Sequence, residues 1–199
     1  MSLKSQLAAY LLSAMNAFYP QSNHAFHEQA EVTESRYEAF ADDVATVVLN
    51  AEVQPLFAGD AGRAKTGLLL ISISSFESMF IDDVVTCVRG GDHNHSWGPF
   101  QTQREKELTC TSVQDASVVA LDMIRESFRV CHGLPETAHL AEYTDGNDFK
   151  STRAFKRSSD RMSRAMNYFN HHPFVLESSD EDVVDAGTGI SSTTENSSH

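Results

Sequence analysis

The sequence predicts a mainly α-helical protein built as a single domain. Apolar residues recur at intervals of three and four along several long segments, as they do on the buried face of a helix. The strict alternation typical of a half-buried strand is scarce, and no internal repeat is visible. The chain has 199 residues, of which 41% are hydrophobic, and this is sufficient to bury one sizeable core.

The first predicted helix runs from Leu3 to about Phe18 and ends before Pro20, which cannot continue a helix. Residues 21–31 are polar and predict a loop. Thr33 or Ser35 is expected to cap a second helix. The apolar face of this second helix comprises Tyr37, Phe40, Ala41, Val44 and Val48.

A central helix is predicted from about Arg63 to Met79. It contains an almost unbroken apolar run from Leu68 to Ile73, which is typical of a helix buried on every side. The run leads to a single carboxylate, Glu77, which we therefore expect at the edge of the core. Asp82–His95 is a predicted loop, and Gly90-Gly91 gives it conformational freedom at its bend.

Three further helices are predicted after this loop. Ser112 and Asp115 form a capping box for the first, which runs to about Cys131. A short helix spans Glu136 to Tyr143, and the last helix runs from about Ser151 to Asn170. The expected core residues of the first are Ala116, Val119, Ala120, Met123, Ile124 and Phe128.

The composition divides the chain into three parts. Residues 1–30 are expected to form a helix and loop that pack on the domain, and residues 31–176 form the domain itself. From Glu177 onward the sequence is rich in Ser, Thr, Asp, Glu and Gly, with almost no large apolar residue. Such a segment buries too little surface to offset its ordering entropy, so residues 177–199 are expected to be a disordered acidic tail.

The formal net charge of -13 excludes nucleic acid as an expected partner, because binding to phosphates requires a basic surface. No stretch has the apolar length needed to span a membrane. The segment "LAAYLLSAMNAF" has the length of a signal-peptide core, but only Lys4 precedes it and no cleavage site follows. We therefore expect synthesis in the cytoplasm without a signal peptide.

Three cysteines, Cys87, Cys110 and Cys131, cannot all pair within the chain, and their spacing does not suggest a zinc site. The simplest interpretation is three reduced thiols in a protein that folds in a cytoplasm. One bridge with one thiol left over is the alternative.

Glu77 is the candidate for acid–base chemistry. A carboxyl group that is half-buried against apolar neighbours favours its neutral form, which suits it to donating a proton. Phe76, Met79 and Phe80 are the expected neighbours. The alternative is an ordinary solvated glutamate at the end of a helix.

Three short motifs, in chain order, resemble those of the lysozyme-like superfamily, in particular soluble lytic transglycosylases and goose-type lysozymes of the phage type. "FESMF", around Glu77, resembles the Glu-Ser signature, "SWGPFQ" the Gly-Leu-Met-Gln signature, and "LAEYTDGND" the motif of Tyr, Asn and Gly. The resemblance covers Thr33 to Phe174. The chain departs from the pattern at Pro99-Phe100, where relatives have Leu-Met, and at Thr144, where many have Asn.

This resemblance implies a lysozyme-like fold in which residues 31–176 are the catalytic domain and Glu77 ends the central helix as general acid and base. A lytic transglycosylase needs only this glutamate, since a hydroxyl of the substrate attacks and an anhydro sugar results. A lysozyme needs a second carboxylate. Asp92 is the first choice, ahead of Asp82 and Asp83 in the same loop, and aspartates that only form turns are the alternative.

The motifs also imply a set of residues that bind substrate: Ser78, Ser96, Gly98, Phe100, Gln101 and Tyr143. Trp97 either stacks on a sugar ring or packs. No cofactor is expected. His93 and His95 with Asp92 make only a weak metal pattern, because no fourth ligand is fixed by a motif, so no metal site is predicted.

The last predicted helix is rich in cations, and a solvated basic face is the favoured interpretation. Contact with the carboxylates of peptidoglycan, or with the acidic tail, is the alternative. The basic residues are Lys150, Arg153, Lys156, Arg157, Arg161 and Arg164.

The resemblance favours a muramidase that cuts the bond between N-acetylmuramic acid and N-acetylglucosamine in peptidoglycan, at the bacterial cell wall or from a virion. Its partners would be glycan strands and, for a phage-associated protein, other virion proteins. Two alternatives keep the same fold without turnover, since fold does not fix function. One is a structural virion or tail component, and the other is a glycan-binding module.

Overall fold

The computed structural model describes residues 1–25, 28–59, 61–91, 93–103 and 106–176. Within these ranges the chain is mainly helical and has no β-strand, which confirms the predicted helical class. The α-helices are α1 (Leu3–Phe18), α2 (Ala30–Leu49), α3 (Gly62–Glu77), α4 (Asp82–Val85), α5 (Lys106–Thr109), α6 (Val113–Val130), α7 (Ala141–Asp145) and α8 (Thr152–His171). Short 3₁₀ helices lie at Gln21–His24, Glu136–Ala138 and Gly146–Asp148.

Helix α3 lies at the centre of the fold because it is apolar on nearly every side. Most of its 16 residues are buried, and the side chains from Leu68 to Ile71 are inaccessible to solvent. Helices α1, α2 and α8 pack around it. A Cβ at Gly67 would lie 3.1 Å from Leu11 Cδ2, so the glycine permits the close approach of α1. Each buried Leu or Ile contributes roughly 1.5–3 kcal/mol, so this apolar run anchors the core.

Helix α1 has the predicted bounds and is capped by Ser2, whose Oγ accepts a hydrogen bond from Ser5 N at 3.1 Å. Helix α2 begins earlier than predicted, at Ala30, and neither Thr33 nor Ser35 caps it. The hydroxyl of Thr33 is buried within the first turn and donates to Glu28 Oε2 at 2.7 Å. That contact with the preceding loop explains why the sequence signal for a cap was misleading.

Helix α6 begins at its predicted cap, Ser112, and α8 begins after Ser151, which caps it at the predicted start of the last helix. Ser112 Oγ accepts from Asp115 N at 3.0 Å, and Ser151 Oγ accepts from Ala154 N at 3.0 Å. Hydroxyls at these positions satisfy amide groups that have no partner inside the helix. The buried residues of α8 are Ala154, Ser158, Arg161, Met162 and Ala165, and they pack toward α3 and α7.

Two further predicted boundaries differ from the structure, and the predicted loop Asp82–His95 begins with the short helix α4. The central helix ends at Glu77 rather than Met79, because Met79 and Phe80 adopt positive φ angles of 52° and 51°, which break the helical path. The predicted short helix Glu136–Tyr143 is divided into a 3₁₀ turn and α7, and α7 extends two residues beyond the predicted end, to Asp145.

The prediction of three reduced thiols is wrong. Cys87 and Cys110 form a disulfide with a Cα–Cα distance of 5.7 Å, and Cys131 is free and buried. Isolated antiparallel bridges join Gly91 to Ser96 and Trp97 to Thr102, so the segment folds back on itself. This return path brings two cysteines together that are 23 positions apart in sequence.

None of the helices in the described residues combines the length and apolar character of a membrane span. The predicted acidic tail, residues 177–199, lies outside the described part of the chain.

Candidate active site

Glu77 occupies the last position of α3, at the margin of the core. Its side chain is 23% exposed, whereas that of Arg161, its ion-pair partner, is only 8% exposed. Arg161 Nε donates to Glu77 Oε1 at 3.0 Å, and Nη2 donates to the same oxygen. The expectation that the neighbours of Glu77 are apolar is therefore wrong, because a buried guanidinium contacts its carboxylate.

Arg161 is fixed by contacts on three sides. Its Nη1 donates to the backbone oxygen of Arg157 at 2.9 Å, and its own backbone oxygen accepts from Ser72 Oγ at 2.8 Å. Its guanidinium carbon lies 4.9 Å from the centroid of the Phe76 ring, within the range of a cation–π interaction. These contacts leave Arg161 little freedom, so the orientation of Glu77 is fixed by its partner.

The turn after Glu77 is held by buried polar groups. Ser78 is 1% exposed, and its Oγ donates to Ser74 O at 3.0 Å and accepts from Phe80 N at 3.2 Å. Arg36 Nη1 donates to Phe80 O, and Arg36 is itself paired with Glu28. The structure thus places Ser78 inside the turn, where it supports the backbone that follows Glu77.

The residues of the second motif form a compact turn. Ser96 Oγ donates to Gln101 Oε1 at 3.1 Å, and Gln101 Nε2 donates to Gly98 O at 2.9 Å. Gly98 and Gln101 both have positive φ angles, 73° and 46°. A Cβ at Gly91 would lie only 1.9 Å from Gln101 Oε1, so this position accepts no larger residue without moving the amide. The Gln101 side chain is thus used to close its own turn.

A row of aromatic rings connects this turn to the end of α3. Phe80 lies three residues after Glu77, and its ring centroid is 5.4 Å from that of Phe40 in α2. The Phe40 centroid is in turn 6.3 Å from that of Phe100. Phe80 and Phe100 are almost completely buried. Offset and edge-on contacts of this kind stabilise packing beyond the area that they bury. Of the expected neighbours of Glu77, Phe80 therefore packs into the core, whereas Met79 is 42% exposed.

Tyr143 joins the third motif to the second. Its hydroxyl donates to the backbone oxygen of Phe100 at 2.8 Å, and its backbone N–H donates to Ser127 Oγ at 3.0 Å. Burial raises the pKa of the Tyr143 phenol well above its usual value, and the nearby carboxylate of Glu77 raises it further, while Arg161 opposes the shift. The phenol is therefore neutral at physiological pH and lies within electrostatic reach of Glu77.

Asp82 and Trp97 do not join this group. Asp92, the expected second carboxylate of a lysozyme, lies outside the described residues. Asp82 belongs to α4, and its Oδ1 lies 3.9 Å from Nε of Arg36. Trp97 packs against Lys106, whose Nζ lies 4.2 Å from the ring centroid. In the described part of the chain, no cluster of three His, Cys, Asp or Glu side chains is arranged to hold a metal ion.

Arg161 is the site residue that the sequence patterns did not single out, although it was counted among the basic residues of the last helix. The spacing of Arg161 from Ser158 and Ala165, three and four positions, indicates that it lies on the buried face of α8 with Met162. A cation on a buried face requires an anionic partner. The sequence of α8 could thus have predicted that Arg161 forms an ion pair, but not that Glu77 is its partner.

Comparison of the chain with protein-family models, curated proteins and solved structures gives no match.

Proposed function

We propose that the protein is a peptidoglycan-cleaving muramidase, a lytic transglycosylase or a lysozyme, with Glu77 as its general acid and base. The observation that carries the proposal is a hydrogen bond between two motifs that are distant in sequence. Tyr143, from the third motif, donates to the backbone oxygen of Phe100 in the second, and the charge of Glu77, from the first, acts on the same phenol. A likeness confined to short sequence strings would not require Tyr143 and Phe100 to be in contact.

The proposed chemistry assigns a separate task to each carboxylate oxygen of Glu77. Arg161 binds Oε1, so proton transfer to the glycosidic oxygen falls to Oε2. In a transglycosylase, the same carboxylate then takes the proton from the substrate hydroxyl that attacks. In an inverting hydrolase a second carboxylate would activate water from roughly 6.5–9.5 Å away, and Asp92 is the candidate.

A second candidate function is a structural virion component or glycan-binding module that keeps the same fold without turnover. The observation that favours it is the Glu77–Arg161 pair, since a carboxylate that neutralises a buried guanidinium has a sufficient structural role. Under this alternative, replacing Glu77 would alter stability without affecting any reaction.

The test is mass spectrometry of purified peptidoglycan incubated with the wild type, with Glu77→Gln and with Glu38→Gln. Glu38 is exposed on α2, so its variant makes the same chemical change away from the site. The proposal expects anhydro-muropeptides, or new reducing ends, from the wild type and Glu38→Gln but not from Glu77→Gln. Reducing ends would identify a hydrolase and make Asp92→Asn the next variant.

Absence of products from a correctly folded wild type would overturn the proposed activity. Sedimentation of the protein with peptidoglycan would then separate the two alternatives. A binding module sediments with the glycan whether or not Glu77 is replaced, whereas a purely structural component stays in solution.

A further inference from the structure

A groove of about 690 Å³ runs between α1 and α8 and reaches the end of α3. Aromatic rings and polar side chains line it together, which is the usual make-up of a site for a small polar ligand. The lining residues that bear on its chemistry are Phe18, Phe76, Asp160, Ser163, Arg164 and Asn167.

Arg164 is the main cation of this groove. Its guanidinium carbon lies 3.9 Å from the ring centroid of Phe76 and 5.7 Å from that of Phe18, and its Nη1 donates to Ser75 Oγ at 2.9 Å. Burial lowers the pKa of this guanidinium below its usual value, the charge of Asp160 opposes the shift and that of Arg161 adds to it; an arginine stays charged at neutral pH. The side chain is thus a partly desolvated cation held between two aromatic rings.

The ion pairing of α8 differs at Arg164. Arg161 is paired with Glu77, Arg157 with Asp145 and Lys156 with Asp160. Arg164 has no ion-pair partner among the residues that the structure describes. Within the described residues, no direct contact with a carboxylate therefore neutralises the Arg164 guanidinium, and the charge of Asp160 acts on it only from a greater distance.

We propose that this groove binds a ligand with a single carboxylate, with Arg164 as its anchor. A guanidinium presents several N–H donors in a fixed plane that matches the two oxygens of a carboxylate. Ser163 and Asn167, on the same face, supply further hydrogen-bonding groups. Asp160 also lines the groove, and its negative charge disfavours a doubly charged anion such as phosphate.

The identity of the ligand rests on the proposed function. Phe76 connects the two sites, because its ring contacts Arg164 in the groove and Arg161 beside Glu77. A glycan strand at Glu77 would therefore bring its own carboxylates near Arg164. Two sources of carboxylate exist in peptidoglycan, namely the lactyl group of an N-acetylmuramic acid that carries no peptide, and the peptide stem where one is attached.

The experiment titrates the full chain, with NMR or calorimetric detection, using three probes. N-acetylmuramic acid carries the free lactyl carboxylate, N-acetylmuramoyl dipeptide carries its carboxylate on the peptide, and N-acetylglucosamine lacks a carboxylate. We expect one of the first two to bind at least about tenfold more tightly than N-acetylglucosamine, as one charge-assisted interaction would give. The tighter of the two identifies the source of the carboxylate.

Variants then test the anchor. Arg164→Gln is expected to lose this about tenfold preference. The matched control, Arg153→Gln, lies on the same helix with a side chain that is 68% exposed, and it should bind like the wild type. If Arg164→Gln does not fold, the wild type still decides, since ligand-induced shifts must fall on groove residues such as Phe18 and Asn167.

Equal binding of all three probes, no binding, shifts elsewhere, or unchanged binding by Arg164→Gln would each overturn the proposal. The outcome is separable from that of the proposed activity. Cleavage of peptidoglycan without carboxylate-dependent binding would leave the muramidase and remove the groove site. Carboxylate-dependent binding without cleavage would support the groove site and overturn the muramidase.

Discussion

Replacing either partner of the Glu77–Arg161 ion pair is expected to destabilise the protein, and replacing both is expected to cost little more than replacing one. Glu77→Gln keeps a hydrogen-bond acceptor but leaves the buried guanidinium without a counter-charge. Arg161→Met keeps a side chain that packs on Phe76 but leaves the carboxylate unpaired. The double variant removes both charges together.

The magnitudes follow from the burial of the two side chains. Breaking a fully buried pair costs about 3–5 kcal/mol, but Glu77 is 23% exposed and water reaches it, so we expect about 2 kcal/mol for each single variant. Independent effects would sum to about 4 kcal/mol in the double variant. Because neither charge then remains unpaired, we expect about 2 kcal/mol instead, which is a coupling energy of about 2 kcal/mol.

The assay is urea denaturation of the wild type, both single variants and the double variant at neutral pH, with the change in unfolding free energy compared around the cycle. Near-equal m-values are needed, since they show that the variants unfold from equally compact states. Additivity within about 0.5 kcal/mol would refute the reasoning, because it would mean that the pair is solvated in solution and that the orientation of Glu77 does not depend on Arg161.

Two other perturbations test the segments on either side of the site. Replacing Cys87 and Cys110 with Ser is expected to lower the unfolding free energy by about 3 kcal/mol, because the bridge closes a segment of 23 positions and restricts the unfolded chain. Dithiothreitol should lower the melting temperature of the wild type but not that of the double variant, and an equal effect on both would contradict this origin. Acid is expected to weaken the contact between Glu28 and Arg36. Hydrogen bonds from Arg36 hold the pKa of Glu28 below its usual range, burial opposes this shift, and a bond from Thr33 assists it. A lowered pKa in the folded state gives stability that is present above the unfolded pKa of about 4.3 and is lost as pH falls through the folded value. Glu28→Gln should therefore be less stable than the wild type at neutral pH, and the difference should shrink at about pH 3, as thermal unfolding at both pH values would show. A difference that does not change with pH would exclude the ionised carboxylate as its cause.

The helical class and most helix positions could be predicted because their determinants are local. The apolar run of α3 and the hydroxyl groups of Ser112 and Ser151 act within one or two helical turns. In the structure the run is buried and both hydroxyls cap their helices. The start of α2 could not be predicted, because Thr33 uses its hydroxyl to bind Glu28 rather than to cap the helix. A local signal fails where a tertiary contact competes for the same group.

The disulfide was expected only as the alternative, for a related reason. The pairing of Cys87 with Cys110 depends on the path between them, which the bridges at Gly91–Ser96 and Trp97–Thr102 fold back. Odd cysteine count and spacing alone favoured reduced thiols. The position of Glu77 at the margin of the core was a local consequence of the apolar run before it. Its pairing with Arg161, which lies 84 positions later in the chain, depends on tertiary packing and has no local determinant.

Arg161 and Arg164 show most directly what sequence patterns leave open. Both lie on α8, less than one turn apart, both contact Phe76, and a sequence scan gives them the same weight as members of one basic cluster. What separates them is the point at which α3 ends. Glu77 is the last residue of that helix, and its carboxylate contacts Arg161. Arg164 lines the groove, and among the described residues its side-chain hydrogen bond is to the neutral hydroxyl of Ser75. One arginine thus orients the proposed acid, and the next is left to bind the proposed ligand. The different roles of the two arginines follow from how α3 and α8 pack together rather than from the local sequence around either arginine.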